Sequence, residues 1–270
     1  MVEKGQARSR LDYLAAEEPM EIRLIAGEEQ KTVAVTMRTP GADFELAAGF
    51  LYSESVILDR SLIRRIAYCV DPHVDAEQRY NIVSIWLHAP SLPELVTLER
   101  HFHMSSACGV CGKASLEAIT NRGCAVLPPG PTVSATLIGE LPERLRARQQ
   151  LFTMTGGLHA AALFNQDGEL LCIREDMGRH NAVDKVVGWA LLNNHLPLHN
   201  CILLVSGRAS YEILQKAVLA GVPIVCAVSA PSHLAVAVAE QFDATLIGFL
   251  RDQRFNIYAG EERILFGTEG

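Results

Sequence analysis

No stretch of the chain reaches the roughly 18 apolar residues needed to read a membrane span. The opening residues, Met1 to Arg10, are polar and lack the apolar centre of a secretory leader. An excess of positive charge is missing too. Lys and Arg number 24 against 31 Asp and Glu, a formal net charge of −7. That argues against a general nucleic-acid-binding face and allows only a local basic pocket for an anion. There is no internal repeat and no low-complexity tract. The seven cysteines are an odd number, which does not suit a closed disulfide framework. These absences together predict a cytoplasmic protein with reduced thiols and with no membrane or nucleic-acid partner. At 270 residues, 49% hydrophobic and 20% charged, the chain is long enough for one large or two modest domains.

Two halves differ in pattern. In the first, Met20–Ile25 and Lys31–Met37 read as strands around the turn Ala26-Gly27-Glu28-Glu29, and Phe44–Leu51 reads as a helix. Leu62–Val70 and Tyr80–His88 form another strand pair. Leu92–Phe102 and Ala114–Thr120 have helical spacing. Pro128, Pro129, Gly130 and Pro131 break the chain. In the second half, Leu158–Phe164 and Glu169–Arg174 form a hairpin around Asn165-Gln166-Asp167-Gly168. Helices at Ala182–Leu192, Tyr211–Ala220 and Leu234–Phe242 then alternate with strands at Cys201–Val205, Pro223–Val228 and Thr245–Leu250. Such continuous apolar strands suit a parallel sheet with helices on both faces. The expected fold class is α/β, with an α+β domain over 16–130 and a second domain over 131–262.

Most of the cysteines read as packing residues. Cys69, Cys172, Cys201 and Cys226 sit in apolar strand-like runs, as small buried hydrophobes do, and Cys124 beside the proline-rich turn is structural as well. Cys108 and Cys111 differ. They stand in Ser105-Ser106-Ala107-Cys108-Gly109-Val110-Cys111-Gly112-Lys113, where two glycines free the backbone for close approach. The loop precedes a helix start, and Lys113 adds positive charge, a setting that favours a thiolate. Three readings stand: a structural pair, a metal site drawing on His101, His103, Cys108 and Cys111, and a redox or sulfur-handling thiol. The third fits the loop best. The run from Arg174 to Lys185 packs charge between a strand end and a helix start, either as solvated helix charge or as an anion site in which Arg179 and His180 make the contacts. Gly156-Gly157-Leu158-His159 allows close backbone approach, with His159 either a core histidine or a ligand contact. Ser206-Gly207-Arg208-Ala209-Ser210-Tyr211-Glu212 offers backbone N–H groups and Arg208 to an anion. Phe249–Arg254 follows the last strand with two arginines and an aromatic ring.

Taken together, the blocks 106–112, 157–161, 176–185 and 206–212 resemble the hallmark segments of the FdhD/NarQ family, over most of the chain from about Arg38 to Tyr258. The resemblance implies a sulfur carrier required for formate dehydrogenase activity. Such a carrier is a sulfurtransferase that takes persulfide sulfur from a cysteine desulfurase. It passes the sulfur to the molybdenum cofactor, bis(molybdopterin guanine dinucleotide), before that cofactor enters formate dehydrogenase. Cys108 matches the persulfide-carrying position, and Cys111 is expected to assist. Phe249, Leu250, Arg251, Asp252, Gln253 and Arg254 match the segment that contacts the cofactor, and His180 and Arg208 are the expected anion contacts beside it. Guanine nucleotides are then expected to bind as surrogates, the chain to form a homodimer, and no structural zinc to be present. The resemblance also implies a cytidine deaminase-like three-layer α/β C-terminal domain. Deaminase chemistry does not carry over, because the zinc ligands are missing from Arg179-His180-Asn181 and Arg208-Ala209-Ser210-Tyr211. The alternative is a non-catalytic, cofactor-binding chaperone of formate dehydrogenase whose cysteines bind metal.

Overall fold

A computed structural model of the chain describes residues 2–3, 5–75, 78–95, 116–117, 119–120 and 124–267. After a short pair, β1 (Val2–Glu3) and β2 (Gln6–Ala7), comes a long hairpin of β3 (Glu18–Ala26) and β4 (Glu29–Arg38). Its turn places Gly27 at φ +57°, which glycine adopts without steric cost. Met20, Ile22, Leu24 and Ala26 alternate onto one face of β3 and are buried. With β5 (Ile63–Tyr68) and β6 (Ile82–Leu87) the hairpin makes a four-stranded sheet of order β4-β3-β6-β5. Helix α1 (Asp43–Ser53) covers this sheet with Leu46, Ala47, Ala48 and Leu51.

The second half builds a six-stranded sheet from β8 (His159–Asn165), β9 (Leu170–Asp176), β10 (Cys201–Val205), β11 (Ile224–Ala227), β12 (Thr245–Arg251) and β13 (Arg254–Ala259). Their order is β13-β12-β11-β10-β8-β9. Helices α4 (Arg179–Leu192), α5 (Tyr211–Leu219) and α6 (His233–Gln241) cover one face. Helix α2 (Ala135–Arg146) covers the other through Ile138, Leu141 and Leu145. A two-stranded parallel pair, β7 (Val133–Ser134) with β14 (Ile264–Leu265), ties the start of α2 to the C-terminal end. Helix–sheet–helix layering agrees with the expected α/β class. The two halves meet where α1 crosses α4. Gly49 and Gly188 face each other there, and the backbone of each helix occupies the space a side chain of the other would need. Among the described residues, no helix is long and apolar enough to cross a membrane.

The alternating strands β10, β11 and β12 run parallel and β8–β9 forms the expected hairpin, while β8 on β10 and β13 on β12 pair antiparallel and make the sheet mixed. Two expectations need correction. Residues 92–95 take no helix; the Leu92 N–H instead donates to Glu29 Oε2 at 3.1 Å, and residues 96–102 lie outside the described set. The stretch between Pro131 and Leu158, read without any element, contains α2 and the short α3 (Gln150–Thr155).

Candidate functional site

A cleft of about 740 Å³ opens between α2, α3 and the ends of the sheet strands, a size in the range of small-molecule sites. One wall is Pro142, Glu143, Leu145, Arg146, Gln149 and Phe152. The others are Gly156 to His159, Ser206 and Val228, and Leu250, Arg251 and Asp252. Ser134 starts the first wall, its hydroxyl accepting the Leu137 N–H at 3.1 Å as an N-cap. The guanidinium of Arg146 lies 4.4 Å from the centroid of the Phe152 ring, a cation–π contact. Two carboxylates, Glu143 and Asp252, share the lining with Arg146, Arg251 and His159.

The sequence reading ends the sheet at Leu250. The chain in fact turns back there as the β12–β13 hairpin, with Asp252 and Gln253 both in the left-handed region at φ 51° and 55°. Phe249 is left-handed as well, at φ 53°, next to an irregularity in the strand pairing. Non-glycine residues in this region are costly, and such strain gathers at functional sites. Helix α2 braces the turn, since Gly139 lies against Gln253. Of the predicted cofactor contacts, Leu250, Arg251 and Asp252 line the cleft. Phe249 is 40% exposed and outside the lining, and Arg254 pairs loosely with Asp252 at 3.7 Å.

The charged run before α4 divides into two roles. Asp176 and Lys185 are buried and paired at 2.7 Å. Asp176 also accepts from the N–H groups of Thr39 and Gly178 and from Asn181 Nδ2, while Lys185 donates to the Thr39 and Glu175 carbonyls. Asp184 takes two bonds from Lys216 and one from Ser53. Burial raises the Asp184 carboxyl pKa, and Lys216 and Ser53 oppose that. These four charges are structural, because a charge can stay buried only with partners of this kind. They are not solvated helix charges.

Arg179 lies near His159, both beside Gly207. His159, on the cleft wall, has its pKa lowered first by burial and then by the charges of Arg179 and Arg208, with Asp176 opposing. His180 sits apart from the lining. Its Nε2 is 3.2 Å from both Ser210 Oγ and Glu212 Oε2. Burial, with Arg179, Lys216 and His159 adding to it, outweighs Glu212 and brings the imidazole down to about 4. With its pKa so lowered, the His180 imidazole favours the neutral form, and Ser210 Oγ is its hydrogen-bond partner. Arg208 is exposed and also lies outside the lining.

Cys108 and Cys111, with His101 and His103, fall outside the described residues. The segments that flank them are anchored: Leu95 is buried in the core under the four-stranded sheet, and Ile119 is buried against the α4–α6 layer. Among the described residues, no group of three His, Cys, Asp or Glu side chains is placed to hold a metal. Cys69, Cys172, Cys201 and Cys226 are buried free thiols, as expected, and Cys124 is half-buried. Burial raises Cys124 and Cys201 to about 11 and Cys172 to about 12, and pushes Cys226 up as well.

Arg146, Gln149 and Phe152 escaped the sequence reading altogether. Ser134 followed by apolar residues at 138, 141 and 145 was the available sign of the helix that carries this wall.

A model of the FdhD/NarQ family matches residues 15–265. A sulfur carrier protein FdhD from Streptomyces coelicolor is 52% identical over 267 residues, 97% of this chain and 93% of the relative. One from Sulfurisphaera tokodaii is 44% identical over 254 residues, covering 94% and 92%. A crystal structure from Desulfotalea psychrophila, described as that of a formate dehydrogenase accessory protein, superposes with a TM-score of 0.75 at 26% identity, over 98% of this chain and 96% of that one.

Proposed function

The chain belongs to the FdhD/NarQ family, and from that premise we propose that it is a sulfur carrier serving formate dehydrogenase, working through a persulfide on Cys108. The near-full-length identity with proteins named as sulfur carriers is the observation that carries this reading. In the first step, the Cys108 thiolate attacks the outer sulfur of a persulfide on a cysteine desulfurase. A new S–S bond forms on Cys108, the donor's S–S bond breaks, and the donor cysteine leaves as a thiolate. In the second step the Cys111 thiol would attack the inner sulfur of the Cys108 persulfide: a Cys108–Cys111 disulfide forms, the persulfide S–S bond breaks, and the outer sulfur leaves as hydrosulfide for the molybdenum cofactor, the two electrons coming from the cysteine pair.

The 740 Å³ cleft is the proposed seat for the guanine dinucleotide end of that cofactor. Its support is local. The net charge of the chain is −7, so a polyanion has to be held by a basic cluster rather than by the overall field. Arg146, Arg251 and His159 line the cleft, with Arg179 and Arg208 close enough to act on His159.

The test replaces Cys108 by alanine in a strain lacking its own copy. Cys108→Ala is expected to abolish formate dehydrogenase activation. Mass spectrometry of the wild type after incubation with a desulfurase and cysteine is expected to show one added sulfur on the peptide containing Cys108. Full activation by Cys108→Ala would leave a cofactor-binding chaperone as the better account.

A further inference from the structure

We propose that α3 (Gln150–Thr155) is a hinged flap on the cleft, and that Glu175 is the positioning residue that latches it. The proposal rests on the reading of the cleft as a ligand seat only for what the flap covers. No residue of α3 is buried, and Leu151 and Met154 are 42% and 55% exposed. An isolated helix needs about 12–15 residues to hold its shape, so this six-residue helix depends on contacts from outside. Beyond the neighbouring turns, two polar contacts tie it to the fold among the described residues. The Glu175 carboxylate accepts the Leu151 N–H on one oxygen at 3.1 Å and the Phe152 N–H on the other at 2.8 Å. These are two of the N–H groups that the first turn of a helix leaves free. The second contact is the Arg146 guanidinium on the Phe152 ring. The bonds of Gly156 to Phe152 and of the Thr155 hydroxyl to Leu151 lie within the helix and its end, and travel with it.

The helix has room on two sides and a hinge at one end. Phe152 lines the cleft, while Leu151 lines a separate cavity of about 160 Å³ with Pro40, Gly41, Ala42 and Lys185. Gly156 takes φ +68° with open space where a Cβ would stand, and Gly157 meets only Thr155 O at 3.9 Å. Two adjacent glycines without steric guides can absorb the backbone rotation of a moving element. The latch, by contrast, is fixed. The Glu175 carbonyl accepts from Lys185 Nζ, which also donates to the Thr39 carbonyl, and the next residue, Asp176, accepts the Thr39 N–H. Glu175 thus stands on the joint between the two halves of the chain, and α3 swings against it.

Hydrogen exchange read by mass spectrometry on the full-length protein without ligand is the test. Glu175→Gln cannot offer a charged oxygen to each N–H group. It is expected to speed exchange over 150–155 about tenfold or more, with exchange in β9 and α4 unchanged and a melting temperature within about 2 °C of wild type, because opening of the flap is local. Arg146→Ala removes an exposed side chain and is expected to speed the same exchange about threefold. Saturating GDP, used as the probe, is expected to slow exchange over 150–155 in the wild type, and Glu175→Gln is expected to release GDP about tenfold faster. Wild-type exchange over 150–155 in Glu175→Gln overturns the latch. Faster exchange that spreads through β9 and α4, or a melting temperature lower by several degrees, shows that Glu175 holds the sheet rather than the flap, and overturns it too. GDP binding that leaves exchange over 150–155 unchanged overturns the part of α3 in covering the cleft. Absence of GDP binding by the wild type overturns the reading of the cleft, and the ligand-free exchange then decides the latch separately.

Discussion

Replacing Gly49 by alanine puts a methyl group into the backbone of the neighbouring helix. The new carbon would lie inside the radius of the Asp184 carbonyl oxygen and 2.7 Å from both the Asp184 carbonyl carbon and the Gly188 nitrogen. In Gly188→Ala the Glu45 carbonyl is hit in the same way, with Gly49 N at 2.8 Å. Carbon contacts are comfortable at about 3.5–4.0 Å, and the carbonyl oxygen is nearer still, so α1 and α4 have to part by more than about 1 Å. Backbone atoms cannot swing aside as a side chain can. Overpacking of a core costs about 1–3 kcal/mol, and this geometry belongs at the upper end. The parting also disturbs Asp184, which holds Lys216 and Ser53 on either side. Alanine returns about 1 kcal/mol through its higher helix propensity. The expected net loss is about 2 kcal/mol, a melting temperature lower by roughly 4–8 °C for a chain of this size. The double variant should cost less than the sum, because one separation relieves both clashes. Differential scanning fluorimetry measures it, with Gly157→Ala as the control, since a methyl group there meets only Thr155 O at 3.9 Å. A Gly49→Ala protein melting within a degree of wild type would refute the close crossing.

Two further outcomes follow from the site. The folded pKa of His180, about 4, lies below its ordinary value of 6.5, so the unfolded chain binds the proton more readily, and stability is lost as pH falls from about 6.5 toward 4. Between pH 7 and pH 5 urea denaturation should show a loss of at most about 2 kcal/mol from this residue, less after discounting for its partial exposure; an equal slope in His180→Gln would contradict the assignment. Gln253→Gly should raise stability by about 0.5–1 kcal/mol, because glycine takes the left-handed turn position without strain; a lower melting temperature would mean that the Gln253 side chain's packing on Gly139 matters more than the strain.

The alternation of β10, α5, β11, α6 and β12 was legible because each strand is a continuous apolar run and each helix starts after a polar turn. Asn165–Gly168 marked its hairpin for the same kind of reason: the turn chemistry is local. Helix α2 was hidden by Gly139 and Pro142, which lower helix propensity, while its packing on Phe164, Ile202 and Ile247 supplies the stability that propensity does not. The pairing of Asp176 with Lys185 was invisible for a different cause. Nine residues apart, on a strand and a helix, they meet only through tertiary structure, and nothing in the sequence separates such a pair from solvated charge.

The burial of the structural cysteines has a chemical consequence for a protein that handles sulfur. Thiol exchange proceeds through the thiolate. A thiol held at about 11, like Cys124 or Cys201, is a thiolate in roughly one molecule in 10⁴ at neutral pH, and Cys172 in fewer still. Cys69 and Cys226 are enclosed by the core as well. A sulfur atom delivered to the chain therefore finds poor competing resting places on Cys124, Cys172, Cys201 and Cys226, whose thiols burial raises. The fold withdraws them from the exchange equilibrium, so packing contributes to the fidelity of the transfer proposed for Cys108.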